Sequence, residues 1–356
     1  MNRKVTSHDV ARLAGVSRSA VSLVLNGRAD GVISADNQRA VLEAAKQLDY
    51  RPNRVAASLR NQTTNTIGVL TDTILSGAFG GAMITGATMR AAESDYLLLV
   101  MGSGSDPERE RKAIDALLAR QVDALVYAAE GLHPWSPPDT FLREHCVLLD
   151  ALDPQGRVPG IIADEVEGGY QAARLLIDAG HRDILYLAGT PELVATGRRL
   201  EGYRRAMQEA GLQAHHTTCG WEINDGLVIG HEVLADAHSR PTGVLCANDR
   251  VAAGVFLAAA RLGIDVPEQL SVVGYDDDPN VAPQLQLSTV GLPHREMGEK
   301  AIDVLLGILK GADVPGGEVL VPSPVVAPPM CVGAWAQRRA RAEALPVTRQ
   351  DAPGRG

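Results

Sequence analysis

The run from Val5 to Asn26 constrains this chain more than any other stretch. Thr6 is followed three residues later by Asp9, which is capping-box spacing. It places an oxygen and a carboxylate where the free N–H groups of a helix start need partners. Val10, Ala11 and Ala14 then share one helical face. Gly15 permits the left-handed backbone that ends a helix. Ser17 is a second N-cap, and Val21, Val24 and Leu25 pack inward, leaving Arg18, Ser19 and Ser22 outward. Two short helices across a tight turn make a helix-turn-helix, whose second helix fits a DNA major groove. Ser34 opens a third helix with Val41, Leu42, Ala45 and Leu48 on one face, and Pro52 interrupts the chain after it.

Charge divides the chain in the same place. Residues 1–62 carry 10 Lys and Arg against 5 Asp and Glu, whereas the remainder carries 24 against 38. A basic head on an acidic body confines a polyanionic partner to the head. Cys146, Cys219, Cys246 and Cys331 are scattered without a C-x-x-C, which fits a reducing compartment and no metal site. No apolar signal core and no run of membrane-spanning length occurs, so the expected location is the cytoplasm.

Beyond the polar linker Asn61-Gln62-Thr63-Thr64, strand and helix patterns alternate. Strands are expected at 67–70, 96–100, 124–127 and 146–149, with helices at 79–93 and 107–120. A second set begins near Ile161, with helices at 167–179, 197–210 and 250–262 and strands at 184–187, 244–246 and 270–273. The chain then returns to the first set through a helix at 295–309. This is the rhythm of parallel sheets covered on both faces. The Ala/Arg/Pro-rich last 20 or so residues read as a disordered tail without leucine heptads.

These patterns resemble a known family. Asp9-Val10-Ala11, Ala14-Gly15-Val16-Ser17, Val21-Ser22 and Val24-Leu25-Asn26 resemble the headpiece of the LacI/GalR family of bacterial repressors. Tyr50-Arg51-Pro52-Asn53 and Arg54-Val55-Ala56-Ala57-Ser58-Leu59 resemble its third-helix exit and hinge helix. Gly180-His181-Arg182-Asp183-Ile184, Arg199-Leu200-Glu201-Gly202-Tyr203, Ala247-Asn248-Asp249 and Val272-Val273-Gly274-Tyr275-Asp276-Asp277 are similar, in order, to landmarks of its core. The resemblance implies an all-α helix-turn-helix headpiece plus an α/β two-lobed periplasmic-binding-protein-like core, with parallel sheets and helices on both faces. It implies a headpiece at 1–52, a hinge helix and linker at 53–64, a core at 65–336 and a tail at 337–356. Within the core, the first lobe takes about 65–162 and 292–322, and the second about 163–291 and 323–336.

Arg18 and Ser19 open the second helix, where side chains reach base edges. Arg18 can give two hydrogen bonds to a guanine, and Ser19 can bond a base or a phosphate. Ser22 and Ser7 suit phosphates. Leu23 stands where the family often has Arg, trading a guanine donor for an apolar contact. The resemblance adds Thr6, Ser17, Asn26, Asn53 and Arg54 to the DNA-contacting set. It also implies a homodimer on a palindromic operator, with residues 53–60 folding as paired hinge helices. Leu59 would then wedge into the minor groove beside Ala56.

Ligands of two-lobed α/β proteins bind where loops at the carboxyl ends of strands face each other. Those loops carry Asp72, Phe79, Asp164, Arg199, Trp221, Asn248 and Asp276. Carboxylates and an amide accept hydroxyl hydrogens, Arg199 donates, and an aromatic face covers the apolar side of a sugar ring. The resemblance carries ligand contact to Arg199, Asn248 and Asp276. Trp221 and Phe79 are equally compatible with core packing, and Asp276 and Asp277 with capping a turn. Leu292 stands near a position where many relatives have Gln. The expected effector is a sugar or sugar derivative, with a nucleobase, nucleoside or other metabolite as the alternative. Induction and corepression are both compatible with it. A ligand-binding protein without a regulatory role is the remaining alternative.

An enzyme is not expected. Gly77-Ala78-Phe79-Gly80-Gly81 lacks dinucleotide-loop spacing, and Gly102-Ser103-Gly104-Ser105 matches neither a nucleophile elbow nor a P-loop. His181 reads as helix-end structure. No cofactor or metal is expected.

Overall fold

The computed structural model describes residues 5–50, 63–74 and 80–326. The chain divides into two compact units, one running to Asn65 and one beginning at Thr66.

The first unit holds α1 (Ser7–Ala14), α2 (Arg18–Leu25) and α3 (Ala35–Gln47). Val10, Ala11, Val21, Val41, Ala44 and Ala45 form its core, with Val24, Leu25, Leu48 and Tyr50 packed around it. Ser34 accepts the Asn37 N–H and so caps α3 as expected. Leu42 is a correction: it is 55% exposed. One residue past Val41 is a rotation of about 100°, so the buried stripe runs through Val41, Ala44 and Ala45 instead.

The second unit contains two parallel sheets. The first has order β11-β5-β4-β3-β1-β2. Its strands are β1 (Thr66–Thr71), β2 (Leu97–Gly102), β3 (Ala124–Pro134), β4 (Cys146–Leu152), β5 (Pro159–Ala163) and β11 (Gly317–Val321). It carries α4 (Gly80–Ala92), α5 (Pro107–Leu118) and the short α6 (Asp139–Leu142). The second sheet, β7-β6-β8-β9, is built from β6 (Ile184–Ala188), β7 (His215–Thr218), β8 (Gly243–Cys246) and β9 (Ser271–Val273). Its helices are α7 (Glu165–Asp178), α8 (Val194–Glu209), α9 (Ile223–Leu234), α10 (Asp249–Leu262) and the short α11 (Ala282–Leu285). The chain returns through α12 (His294–Leu309), whose Met297, Ala301, Ile302 and Leu305 join the first lobe's core. A two-stranded antiparallel ribbon, β10 (Thr289–Val290) with β12 (Val325–Val326), lies among the crossings.

The three major helix pairs share one packing device. A methyl at Gly86 of α4 would stand 2.1 Å from the Arg295 carbonyl oxygen of α12, and one at Gly298 of α12 2.1 Å from that of Met83. Gly169 and Gly202 stand in the same way, 2.2 Å from Arg199 O and 1.9 Å from Val166 O, where α7 crosses α8. At the crossing of α9 and α10, Gly226 and Gly254 stand 2.2 Å from Val251 O and from Ile223 O. Each glycine therefore faces the carbonyl three residues before its partner glycine. No side chain fits between the two backbones, so the axes approach more closely than ordinary ridges and grooves allow.

Substituting Gly298→Ala should therefore destabilise the second unit by about 1–3 kcal/mol, read as a lower urea midpoint. Gly81→Ala, on the same helix pair but with open space around it, should be neutral or gain up to about 1 kcal/mol. Equal midpoints for both variants would refute the close crossing.

Candidate functional site

Two groups of predicted residues fall in the two units. In the first unit, Gly15 takes φ 66° and ψ 29° and ends α1, as its residue type predicts. The Thr6 N–H and hydroxyl both donate to Asp9 Oδ2, at 3.0 and 2.7 Å. Ser17 Oγ accepts the Ala20 N–H at 3.1 Å, so its oxygen caps α2. The next two residues, Arg18 and Ser19, are exposed, and no described residue bonds their side chains. Asn26 donates to the Ser22 carbonyl at 2.6 Å and to Ser22 Oγ at 3.2 Å. The Ser22 hydroxyl hydrogen remains to give. Ser7, Ser22 and Leu23 are half-buried, and Leu23 stays outside the apolar cluster of this unit. Asn53, Arg54, Ala56 and Leu59 lie outside the described residues.

In the second unit several strand ends meet at one side chain. Arg199, only 4% exposed, is the hub. Its Nε and Nη2 donate to Glu165 Oε2 and Oε1 at 2.7 and 3.1 Å. Its Nη1 donates to the Ala247 carbonyl at 2.6 Å and to Asp276 Oδ1 at 3.3 Å. The guanidinium lies 3.7 Å from the Tyr275 ring centre and 5.7 Å from that of Trp221. An arginine has five N–H donors. One remains for a ligand, which is a smaller donating role than the sequence suggested.

The other residues divide by role. Asn248 Oδ1 caps α10 through Val251 N–H at 2.8 Å, and its Nδ2 donates to the Trp221 carbonyl at 3.0 Å. Trp221 Nε1 donates to Thr190 Oγ1 at 3.2 Å, and Gly189 leaves the space its indole fills. Asp164 Oδ1 caps α7 through Glu167 N–H at 3.0 Å. Phe79 lies outside the described residues.

Asp72 belongs to the first lobe's side of the cleft. The pairing of β3 with β4 shifts register between Ala128 and His133. A bulge of this kind re-aims backbone N–H groups. The Glu130 N–H donates to Asp72 Oδ1 and Oδ2 at 3.1 and 3.2 Å, and the Gly131 N–H bonds Asp150. Asp72 also accepts the Ile74 N–H at 3.1 Å.

Asp150 and Glu165 are functional candidates missing from the sequence set. Asp150 stands near the carboxyl end of β4 with φ 56°, a strand-end position of the kind that singled out Asp72. Glu165 is the first residue of α7 and reads in sequence as one more first-turn acid. Burial, then Glu165, push the Asp150 carboxyl up to about 7. Burial raises Asp276 to about 8 against the pull of Arg199. His181 is no part of this cleft. It bridges Thr242 Oγ1 and Ser271 Oγ at 3.0 and 2.8 Å, and burial holds it neutral down to about 4.

The lobes are also tied beside the cleft. Arg198 of α8 forms a bidentate ion pair with Glu318 of β11, one bond being 3.0 Å from Nη1 to Oε2. Leu292 packs against the cores of both lobes.

A carboxyl raised in the folded state keeps a proton that the unfolded chain releases near pH 4. Its contribution to stability is full below that pH and is lost as pH rises through about 7 for Asp150. Asp150→Asn cannot ionise, and Asn tolerates the positive φ. The variant should melt higher than the parent at pH 8, and the gain should shrink as pH falls from about 7 and vanish only below about pH 4. A gain that does not depend on pH would contradict the buried carboxyl.

Comparison with known proteins agrees with both units. Residues 6–53 match the model of the bacterial regulatory proteins of the lacI family, and residues 173–327 that of the periplasmic binding protein-like domain. The ribose operon repressor of Haemophilus influenzae is 32% identical, over 86% of this chain and 92% of its own. The HTH-type transcriptional repressor PurR of Vibrio cholerae is 34% identical, over 86% and 91%. The lac repressor dimer bound to operator and the anti-inducer ONPF superposes with a TM-score of 0.72 at 29% identity, over 91% of this chain and 98% of that one. The CelR–cellobiose complex gives 0.62 at 25%, over 93% and 100%. This chain belongs to the LacI family of bacterial DNA-binding transcriptional regulators.

Proposed function

We propose that this chain represses transcription in the cytoplasm as a homodimer on a palindromic operator, and that a small polyhydroxylated effector, a sugar or sugar derivative, sets its affinity. The observation that carries the reading is the start of α2, where Arg18 and Ser19 stand exposed on a basic headpiece with no side-chain bond to any described residue. Arg18 reads a guanine and Ser19 a base edge or phosphate, with Leu23 beside them as an apolar contact. Thr6, Ser7, Ser17, Ser22 and Asn26 position the backbone. Asn53 and Arg54 continue the contact, while Leu59 and Ala56 open the minor groove from the hinge.

One headpiece makes too few contacts for selective binding, and two on a dimer read half-sites about one helical turn apart. Exposed Met89, Leu97, Ile223, Val228 and Leu257 on the second unit suit burial against another copy. The effector set is Asp72, Phe79, Asp164, Arg199, Trp221, Asn248 and Asp276, with Asp150 and Glu165 added. The ribose operon repressor and the cellobiose complex among the relatives favour a sugar. A nucleobase or nucleoside is the second reading, favoured by the flat Trp221 ring 5.7 Å from Arg199. The chain acts by binding, not by catalysis. Occupancy shifts the balance between two lobe arrangements that differ in operator affinity, so the effector must bind them unequally.

Selection of bound fragments from genomic DNA should return a near-palindrome. On that duplex, Arg18→Ala should weaken binding by about 1–3 kcal/mol and relax the preference at one base pair per half-site. Fluorescence anisotropy at fixed salt measures both. A wild-type chain that prefers no fragment over random duplex would overturn the proposal.

A further inference from the structure

Resting on the reading of the cleft as an effector site, we propose that His133, steadied by Tyr127, is a positioning residue: it closes the β3 bulge and thereby fixes where Asp150 presents its carboxyl to the cleft. The register of β3 on β4 isolates Asp150. Ala128 pairs with Leu149 and His133 with Ala151. Four residues, Ala129 to Leu132, therefore stand opposite Asp150 alone. Ala129 and Leu132 are buried, but Glu130 and Gly131 between them are exposed. These two supply the N–H groups that bond Asp72 and Asp150.

Gly131 is the loosest point of the bulge. Its φ of 83° suits glycine, and a glycine can swing both of its peptide planes. His133 restrains it. The Gly131 carbonyl can only accept, so the ring nitrogen 3.0 Å away, Nδ1, carries the proton and donates. The neutral ring then has Nε2 as its acceptor, and the Tyr127 hydroxyl donates to it at 3.3 Å. The two bonds together set the tautomer and the direction of the ring. Tyr127 precedes the bulge and His133 follows it, so the pair joins its two ends.

The support beneath the pair is rigid. Tyr127 is 2% exposed and stacks on Trp135, with ring centres 3.9 Å apart and planes within 2°. The Trp135 N–H donates to both carboxylate oxygens of Glu110 on α5 at 3.3 Å, and the Phe141 ring of α6 meets the indole edge-on at 5.0 Å. The clamp thus ties β3 to two helices of the first lobe before it reaches Gly131. With the Gly131 carbonyl held, its N–H keeps its direction toward Asp150.

The readout is the pH range over which Asp150→Asn stabilises the full chain. The charged groups acting on Asp150 are Asp72 after β1, Glu165 on α7 and Arg199 on α8, and all three stay unaltered. With wild-type His133, the gain from Asp150→Asn grows with pH and levels off above about 7. The Gly131 N–H favours the ionised carboxyl, so freeing the bulge raises that point. In His133→Phe, melts with and without Asp150→Asn should level off about one pH unit higher. His133→Asn, whose amide N–H takes the place of Nδ1, should return the point to about 7. Tyr127→Phe, which loses only the hydroxyl, should move it upward by less than His133→Phe. A point unmoved by His133→Phe, or moved as far by His133→Asn, overturns the proposal. Should His133→Phe not fold, Tyr127→Phe decides by the same criterion. No ligand enters these melts, so such a failure strikes the clamp and leaves the effector reading to ligand titration.

Discussion

The buried pair of Arg199 and Glu165 is the interaction on which the convergence of strand ends in the second lobe depends, and a glycine crossing brings its two helices together. Gly169 of α7 lies directly against the carbonyl of Arg199, and Gly202 of α8 against that of Val166. With the two backbones in contact, the guanidinium starts close enough to Glu165 to bond it twice. It then has reach left for the Ala247 carbonyl and Asp276, which follow β8 and β9. One side chain thereby ties three strand ends and two helices together. Charges this deeply buried are tolerated only when paired on every side. The pair is thus as much a structural demand as a binding feature.

The same crossing recurs between α4 and α12 and between α9 and α10, with the same three-residue offset. Recurrence across both lobes follows from a shared problem. In an α/β layer, two neighbouring helices must lie side by side on one face of a narrow sheet, and a glycine at the crossing removes the side chain that would hold them apart. The helical propensity lost at each glycine, about 1 kcal/mol, is offset by packing that no larger residue permits.

That exchange also explains what the sequence did and did not disclose. The headpiece was legible almost residue by residue, because caps and turns are local: Thr6, Asp9, Gly15, Ser17 and Ser34 act within four residues of themselves. The strand and helix alternation of the core was legible for the same reason. Helix α9 was not, since Gly226 and Gly230 dilute its apolar period, and the polar strand β7 before it carries no alternation. In the cleft, Arg199, Asn248 and Asp276 were visible through their motifs. Asp150 and Glu165 were not, because each gains its role from a distant partner, the β3 bulge for one and α8 for the other. Asp164 shows the converse, a residue whose oxygen is engaged locally as a helix cap.

Adjacent residues of α8 give the cleft a route to the rest of the chain. Arg199 points inward to Glu165 and Asp276, while Arg198 reaches across to Glu318 on β11 of the other lobe. Any rotation of α8 that lets Arg199 meet a ligand must therefore carry Arg198 with it, since the two share one rigid backbone. The Arg198 pair is partly exposed and worth little on its own. Its position matters more than its strength. It places an ion pair at the seam between lobes one residue away from the buried guanidinium. Leu292, packed against both cores, is a second contact across that seam. A ligand that contacts both Asp150 and Arg199 touches both sides of the seam. Under the proposed effector role, such a ligand exerts control at a distance only to the extent that it binds one lobe arrangement better than the other.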